Sequence, residues 1–96
     1  MQEQMTILTE DRTVLEPLLK SALKNEKKMV ALGLERTRQR LEQFEREYGM
    51  SCTDFERRLN AMEITETVDF SEWRMEIGML RLLERQYKAL DNARLD

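Results

Sequence analysis

The sequence predicts an all-α protein: a long N-terminal helix, a short middle helix and a long C-terminal helix, packed as an antiparallel helical hairpin or bundle. Three observations predict it. The first is composition: the 96 residues hold only three Gly and one Pro among abundant Glu, Arg, Leu and Met, a helix-forming mixture with few turn residues. The second is spacing. Val30, Leu34, Thr37, Leu41, Phe44 and Tyr48 recur at alternating steps of four and three, the stripe of a helix built to pack along another. The third is the stretch Glu47-Tyr48-Gly49-Met50-Ser51, which carries a full local code for ending one helix and starting the next.

Hydrophobic residues make up 41% of the chain and charged residues 36%, so the apolar set is enough for one core but must lie in stripes between solvated faces. The mean hydropathy is -0.67 and the pI about 5.1. A net charge of -3 is not the footprint of a protein that holds nucleic acid through bulk charge. The N-terminus lacks the apolar run of a signal peptide, and nothing approaches the ~20 apolar residues of a membrane span. The single Cys52 excludes an intrachain disulfide and suits a reducing compartment. The expectation is a soluble cytoplasmic protein.

Residues 1–11 lack a helical period and read as a flexible tail before one helical domain over 12–96. The first helix is expected over about 13–48, with Asp11 as N-cap and Pro17 within its first turns. Leu15, Leu18, Leu19, Ala22 and Leu23 share one broad face, and the stripe from Val30 to Tyr48 follows. Extending that register backward places Lys20 and Lys27 on the seam. Gly33 inside the helix costs about 1 kcal/mol against Ala, so it marks either a close helix crossing or a position of no consequence.

Gly49 stands where a left-handed residue closes a helix. Ser51 caps the next helix with Asp54 three residues on, and Met50 is placed to staple onto Phe55. This second helix is expected over about 52–62, with Phe55, Leu59 and Met62 on its docking face. Residues 63–69 read as a loop that buries Ile64 or Val68. Asp69 is the expected cap of the third helix, about 70–92, with Glu72 at the matching position, Val68 and Trp73 as a second staple, and Ser71 as a competing cap. Phe70, Trp73, Ile77, Leu80, Tyr87 and Leu90 form its stripe, widened by Met79, Leu82 and Leu83.

Length adds a constraint. A helix over 13–48 is roughly 54 Å long, far beyond the radius of gyration of about 13 Å expected for a compact domain of this size. Either it bends between Asn25 and Gly33, or a second chain covers part of it. The expectation is a homodimer on the long helices, with Val30, Leu34, Leu41, Phe44, Tyr48, Ile77, Leu80 and Tyr87 as the self-association seam.

Chemistry is sparse. With no histidine, the Ser/His and Cys/His nucleophile arrangements and the usual zinc sets are missing. Glu63/Glu66 and Asp69/Glu72 are carboxylate pairs at metal-binding spacing, but no Glu-x-x-His partner accompanies them, and capping and solvation explain them better. No catalytic residue, metal or cofactor is assigned, and an enzyme is not expected. Lys20, Lys24, Lys27, Lys28, Arg36, Arg38 and Arg40 could meet phosphate. They are interleaved with Glu26, Glu35 and Glu42, which fits pairing on a solvated face better. Ile64, Val68, Phe70 and Trp73 are candidate partner contacts, with Trp73 balanced between interface anchor and core. Cys52 reads as an inert packed thiol.

Several stretches also resemble a known pattern: Leu18 to Glu26, Leu32-Gly33-Leu34-Glu35-Arg36-Thr37, then Leu41, Phe44, Glu45, Tyr48-Gly49-Met50-Ser51, Phe55 and Arg58, and finally Asp69-Phe70, Glu72-Trp73, Leu80 and Leu83. Over about residues 18–90 the chain resembles a family of small all-helical prokaryotic proteins encoded as the antitoxin-side partner of a toxin-like gene. The resemblance implies cytoplasmic binding to a cognate protein and no catalysis. The chain departs from the family between Asn60 and Val68, where the family carries a glycine and more acids.

Overall fold

The computed structural model describes residues 2–95; Met1 and Asp96, the outer ends of the expected tail and domain, lie outside them. Three helices follow in order: α1 (Arg12–Tyr48), α2 (Cys52–Asn60) and α3 (Val68–Asn92). Asp11 caps α1 as its spacing implies, its Oδ1 accepting from the Val14 amide at 3.3 Å. Residues 2–9 form no regular structure and are exposed.

The long helices run antiparallel, and four contacts fix their register. Tyr48 packs edge-on against Phe70, Arg40 reaches both Glu72 and Glu76, Gly33 lies beneath Leu83, and Lys27 Nζ meets Asp91 Oδ1 at 2.6 Å. Each step back along α1 is thus a step forward along α3. A Cβ on Gly33 would meet Leu83 Cδ1 at 3.4 Å, an ordinary side-chain contact, so the packing of α3 here does not require glycine. The helix α1 is one unbroken element of 37 residues, without the break considered between Asn25 and Gly33.

The core lies where all three helices converge. Leu41, Phe44, Phe55, Trp73 and Ile77 form one buried cluster, with Met50, Leu59, Ile64, Phe70 and Leu80 packed around it. Trp73 and Phe55 are both 0% exposed and stack with ring centroids 4.0 Å apart; Phe44 stacks on Trp73 at 5.5 Å. Such pairs add about 0.5–1.5 kcal/mol each beyond their buried area. Val30, Leu34 and Thr37 continue the buried line along α1. The stripe expected to join two chains is therefore filled within one: Val30, Leu34, Leu41, Phe44, Tyr48, Ile77, Leu80 and Tyr87 lie on the facing sides of α1 and α3.

Three local expectations are corrected. The cap of α3 is Thr67, whose Oγ1 accepts from the Phe70 amide at 3.1 Å, so the helix opens at Val68 rather than Phe70. Asp69 is drawn into the first turn, where its carboxylate accepts the Tyr48 hydroxyl, and Glu72 turns to Arg40. No staple joins Val68 to Trp73, because Val68 is 76% exposed; it is Ile64 that the loop tucks against the core. Finally, α2 ends at Asn60, and Met62 leaves its docking face.

Met62 instead closes the helix. The Glu63 amide donates to the Arg58 carbonyl at 2.9 Å and the Met62 amide to the Leu59 carbonyl at 3.2 Å, the paired closure that usually employs glycine. Met62 takes φ 58° with its side chain 91% exposed, so it carries left-handed strain without packing in return. That strain costs about 1–2 kcal/mol, partly offset in a glycine variant by lost chain entropy. Met62→Gly is expected to stabilise by ~0.5 kcal/mol and raise Tm by about 2–4 °C. A thermal melt followed by circular dichroism checks this; a lower Tm refutes it.

Candidate interaction surface

The junction between α1 and α2 is built on Glu45. Its backbone carbonyl accepts the Gly49 amide at 2.9 Å, and its Oε2 accepts the Cys52 amide at 2.8 Å. Gly49 takes φ 64°, and Ser51 Oγ accepts from the Asp54 amide at 3.0 Å. Asp54 then spends its carboxylate on Arg57 and Arg58. Gly49 and Ser51 act as their spacing implies, but the capping box is one-sided, because the Asp54 carboxylate turns to the two arginines instead of back to Ser51. The role of Glu45 is visible only once the chain has turned back on itself.

Cys52 opens α2, and its sulfur accepts the Trp73 indole N–H at 3.3 Å. Burial, with Glu45 and Glu56 nearby, outweighs that hydrogen bond and pushes the thiol pKa up. The group is a neutral packed thiol at pH 7, not an activated nucleophile.

Tyr48 donates its phenolic hydrogen to Asp69 Oδ2, tying the end of α1 to the start of α3. That hydrogen bond, burial and the charges of Asp69 and Glu47 push the Tyr48 pKa up to about 12. The folded chain therefore holds this proton more tightly than the unfolded chain, whose tyrosines titrate near pH ~10. The bond contributes fully below pH ~10 and is lost as pH rises toward 12. Urea melts between pH ~9 and ~12 should show the wild type losing more stability than Tyr48→Phe; parallel losses would refute the assignment.

Two grooves flank this junction. One of about 390 Å³ is lined by Glu42, Glu45, Arg46, Gly49, Met50 and Ser51, and one of about 210 Å³ by Arg40, Gln43, Phe44, Glu47, Asp69 and Glu72. Neither sets a nucleophile beside a base. Among the described residues, no group of three or more His, Cys, Asp or Glu is placed to hold a metal ion. Glu63 pairs with Arg57 and Glu66 with Arg74.

Three of the basic candidates are engaged in ion pairs. Lys20 pairs with Glu16, Lys27 with Asp91, and Arg40 with Glu72 and Glu76. Lys24, Lys28 and Arg36 are exposed, and Arg36 lies on a different side of α1 from the two lysines. Of the four candidate partner contacts, Trp73 is core, Phe70 and Ile64 are half-buried against it, and Val68 alone stands in solvent.

Exposed apolar side chains lie elsewhere. On α3, Val68, Met75, Met79 and Leu82 are 76%, 73%, 45% and 49% exposed; on α1, Met29 and Leu32 are 57% and 58% exposed. At about 100° per residue, Val68, Met75, Met79 and Leu82 follow one strip of α3, and Met29 and Leu32 one strip of α1. Each strip lies roughly opposite its own buried seam, so the α3 strip and the α1 strip sit on the outer faces of their two helices. The sequence signal for the α3 strip was the extra width of the third helix's stripe; Met29 and Leu32 likewise lie off the α1 seam.

Comparison with protein-family models, with curated proteins and with solved structures finds no match. Among the described residues, no helix is long and apolar enough to cross a membrane.

Proposed function

We propose that the chain is a protein–protein interaction module that binds and neutralises a cognate cytoplasmic toxin, with the exposed outer strip of α3 as its contact face. The observation that carries the interaction reading is the exposed apolar strip of Met75, Met79 and Leu82 on the outer face of α3. Apolar surface that the chain itself leaves uncovered is the kind a partner covers, and flexible methionines adapt to a partner's shape. Val68 extends the strip to the loop 63–67, where the chain departs from the family it resembles. The class of partner rests on that resemblance alone. The role is stoichiometric binding, not catalysis.

Co-expression with the product of the neighbouring gene tests this. The expected result is a neighbour that arrests growth alone, is tolerated with this chain, and co-purifies with it. The double variant Met79→Glu, Leu82→Glu should lose rescue while keeping its helical spectrum. A neighbour that is harmless and unbound overturns the reading.

A further inference from the structure

The helix α1 is longer than the partner that covers it. At 1.5 Å per residue its 37 residues span about 55 Å, against about 38 Å for the 25 residues of α3. The ion pair of Lys27 with Asp91 sets the last turn of α3 at the level of Lys27. Residues 12–26 therefore project beyond the hairpin by about 22 Å. The principal extents of 58 × 25 × 19 Å and the radius of gyration of 18.7 Å record the same projection.

The projecting segment carries an apolar face that this chain leaves mostly uncovered. Leu15, Leu19 and Leu23 continue the seam face beyond α3, and Val14 and Leu18, 56% and 60% exposed, widen it together with Ala22. These six side chains occupy one half of the helix circumference; Glu16, Lys20 and Lys24 occupy the other.

We infer that a second copy of this chain covers that face, the two projecting segments packing antiparallel about a two-fold axis at Leu19. Three features select a second copy as the occupant. The first is length. Each projecting segment supplies the cover the other lacks and takes up the line where the other chain's α3 stops, so the seam is filled from Leu15 to Tyr48. The second is spacing. Leu15 and Leu23 are equidistant from Leu19, so the two-fold sets Leu19 on Leu19 of the partner subunit and Leu15 over Leu23 of the partner subunit. The third is charge. Within each chain Glu16 already pairs with Arg12 and Lys20; in that register Arg12 lies level with Glu26 of the partner subunit at both ends, so opposite rather than like charges meet there. Six apolar side chains per copy bury on the order of 1,000 Å² in total, the lower end for a specific interface. The dimer is therefore concentration-dependent. This contact is independent of the toxin-binding reading and uses a different surface.

Light scattering on the purified full chain tests it. The expected mass is twice 11.5 kDa at high concentration, falling toward 11.5 kDa on dilution below the micromolar range. Leu19→Glu should be monomeric throughout, with unchanged helical content and Trp73 emission, because Leu19 lies outside the core. In a Cys52→Ser background, Leu19→Cys should form a disulfide-linked dimer under copper–phenanthroline oxidation, and Leu15→Cys should not. A wild-type chain monomeric at every concentration overturns the inference. So does a Leu19→Glu variant that still dimerises, or Leu15→Cys linking as readily as Leu19→Cys, the mark of a parallel pair.

Discussion

Phe55→Ala is expected to undock α2 from the hairpin. Phe55 is fully buried and stacks on Trp73, and it meets Phe70 edge-on with centroids 5.3 Å apart. Truncating such a ring costs about 3–5 kcal/mol, a large share of the ~5–15 kcal/mol that holds a small domain together. The nine residues of α2 are too few to stay helical without a docking face. The variant should lose the helical signal of α2 and show red-shifted emission from the sole tryptophan, now open to water. Native emission with an unchanged melting curve would show that α2 is held by its caps and ion pairs rather than by this ring.

Leu34→Ala is expected to be as damaging by a different route. Leu34 is 5% exposed and buried on α1 beneath α3, outside the cluster that gathers around Trp73. Removing its side chain leaves a cavity between two long helices that cannot close without shifting, at a cost of about 2–5 kcal/mol. Tm should fall by at least ~10 °C. Trp73 emission in the folded state should stay native, which separates this variant from Phe55→Ala. A loss below ~1 kcal/mol would mean that α3 collapses onto the gap.

Most of the fold was legible because its information is local. The steps of four and three from Val30 to Tyr48, the glycine after Tyr48 and the serine before Cys52 each act within a few residues, and each appears as read. What was not legible depended on competition between neighbours. Thr67 and Asp69 can both cap a helix; Asp69 is taken by the Tyr48 hydroxyl, which only the folded hairpin brings near. Met62 matched the period of α2, yet the chain turns there despite the absence of a glycine. The use of the long stripe was the largest ambiguity. A heptad-like seam is the same in sequence whether the covering helix belongs to the same chain or another. The 63–67 turn decides it, returning α3 along α1 as far as Lys27. The contact face was half legible: the extra width of α3 was visible, but not that Met79 and Leu82 would face outward, away from α1.

Glu45 joins two events at opposite ends of the turn. Its carbonyl terminates α1 and its carboxylate receives the first amide of α2, so fraying of one end strips a partner from the other. The two helix ends therefore open and close as one cooperative unit, and amide hydrogens at Gly49 and Cys52 exchange with solvent through the same opening. Because Glu45, Gly49 and Cys52 are neighbours in the chain, closing this unit costs little loop entropy. The corner is completed when α2 docks through Phe55 on Trp73 of α3, so the local closure and the pairing of the long helices reinforce each other.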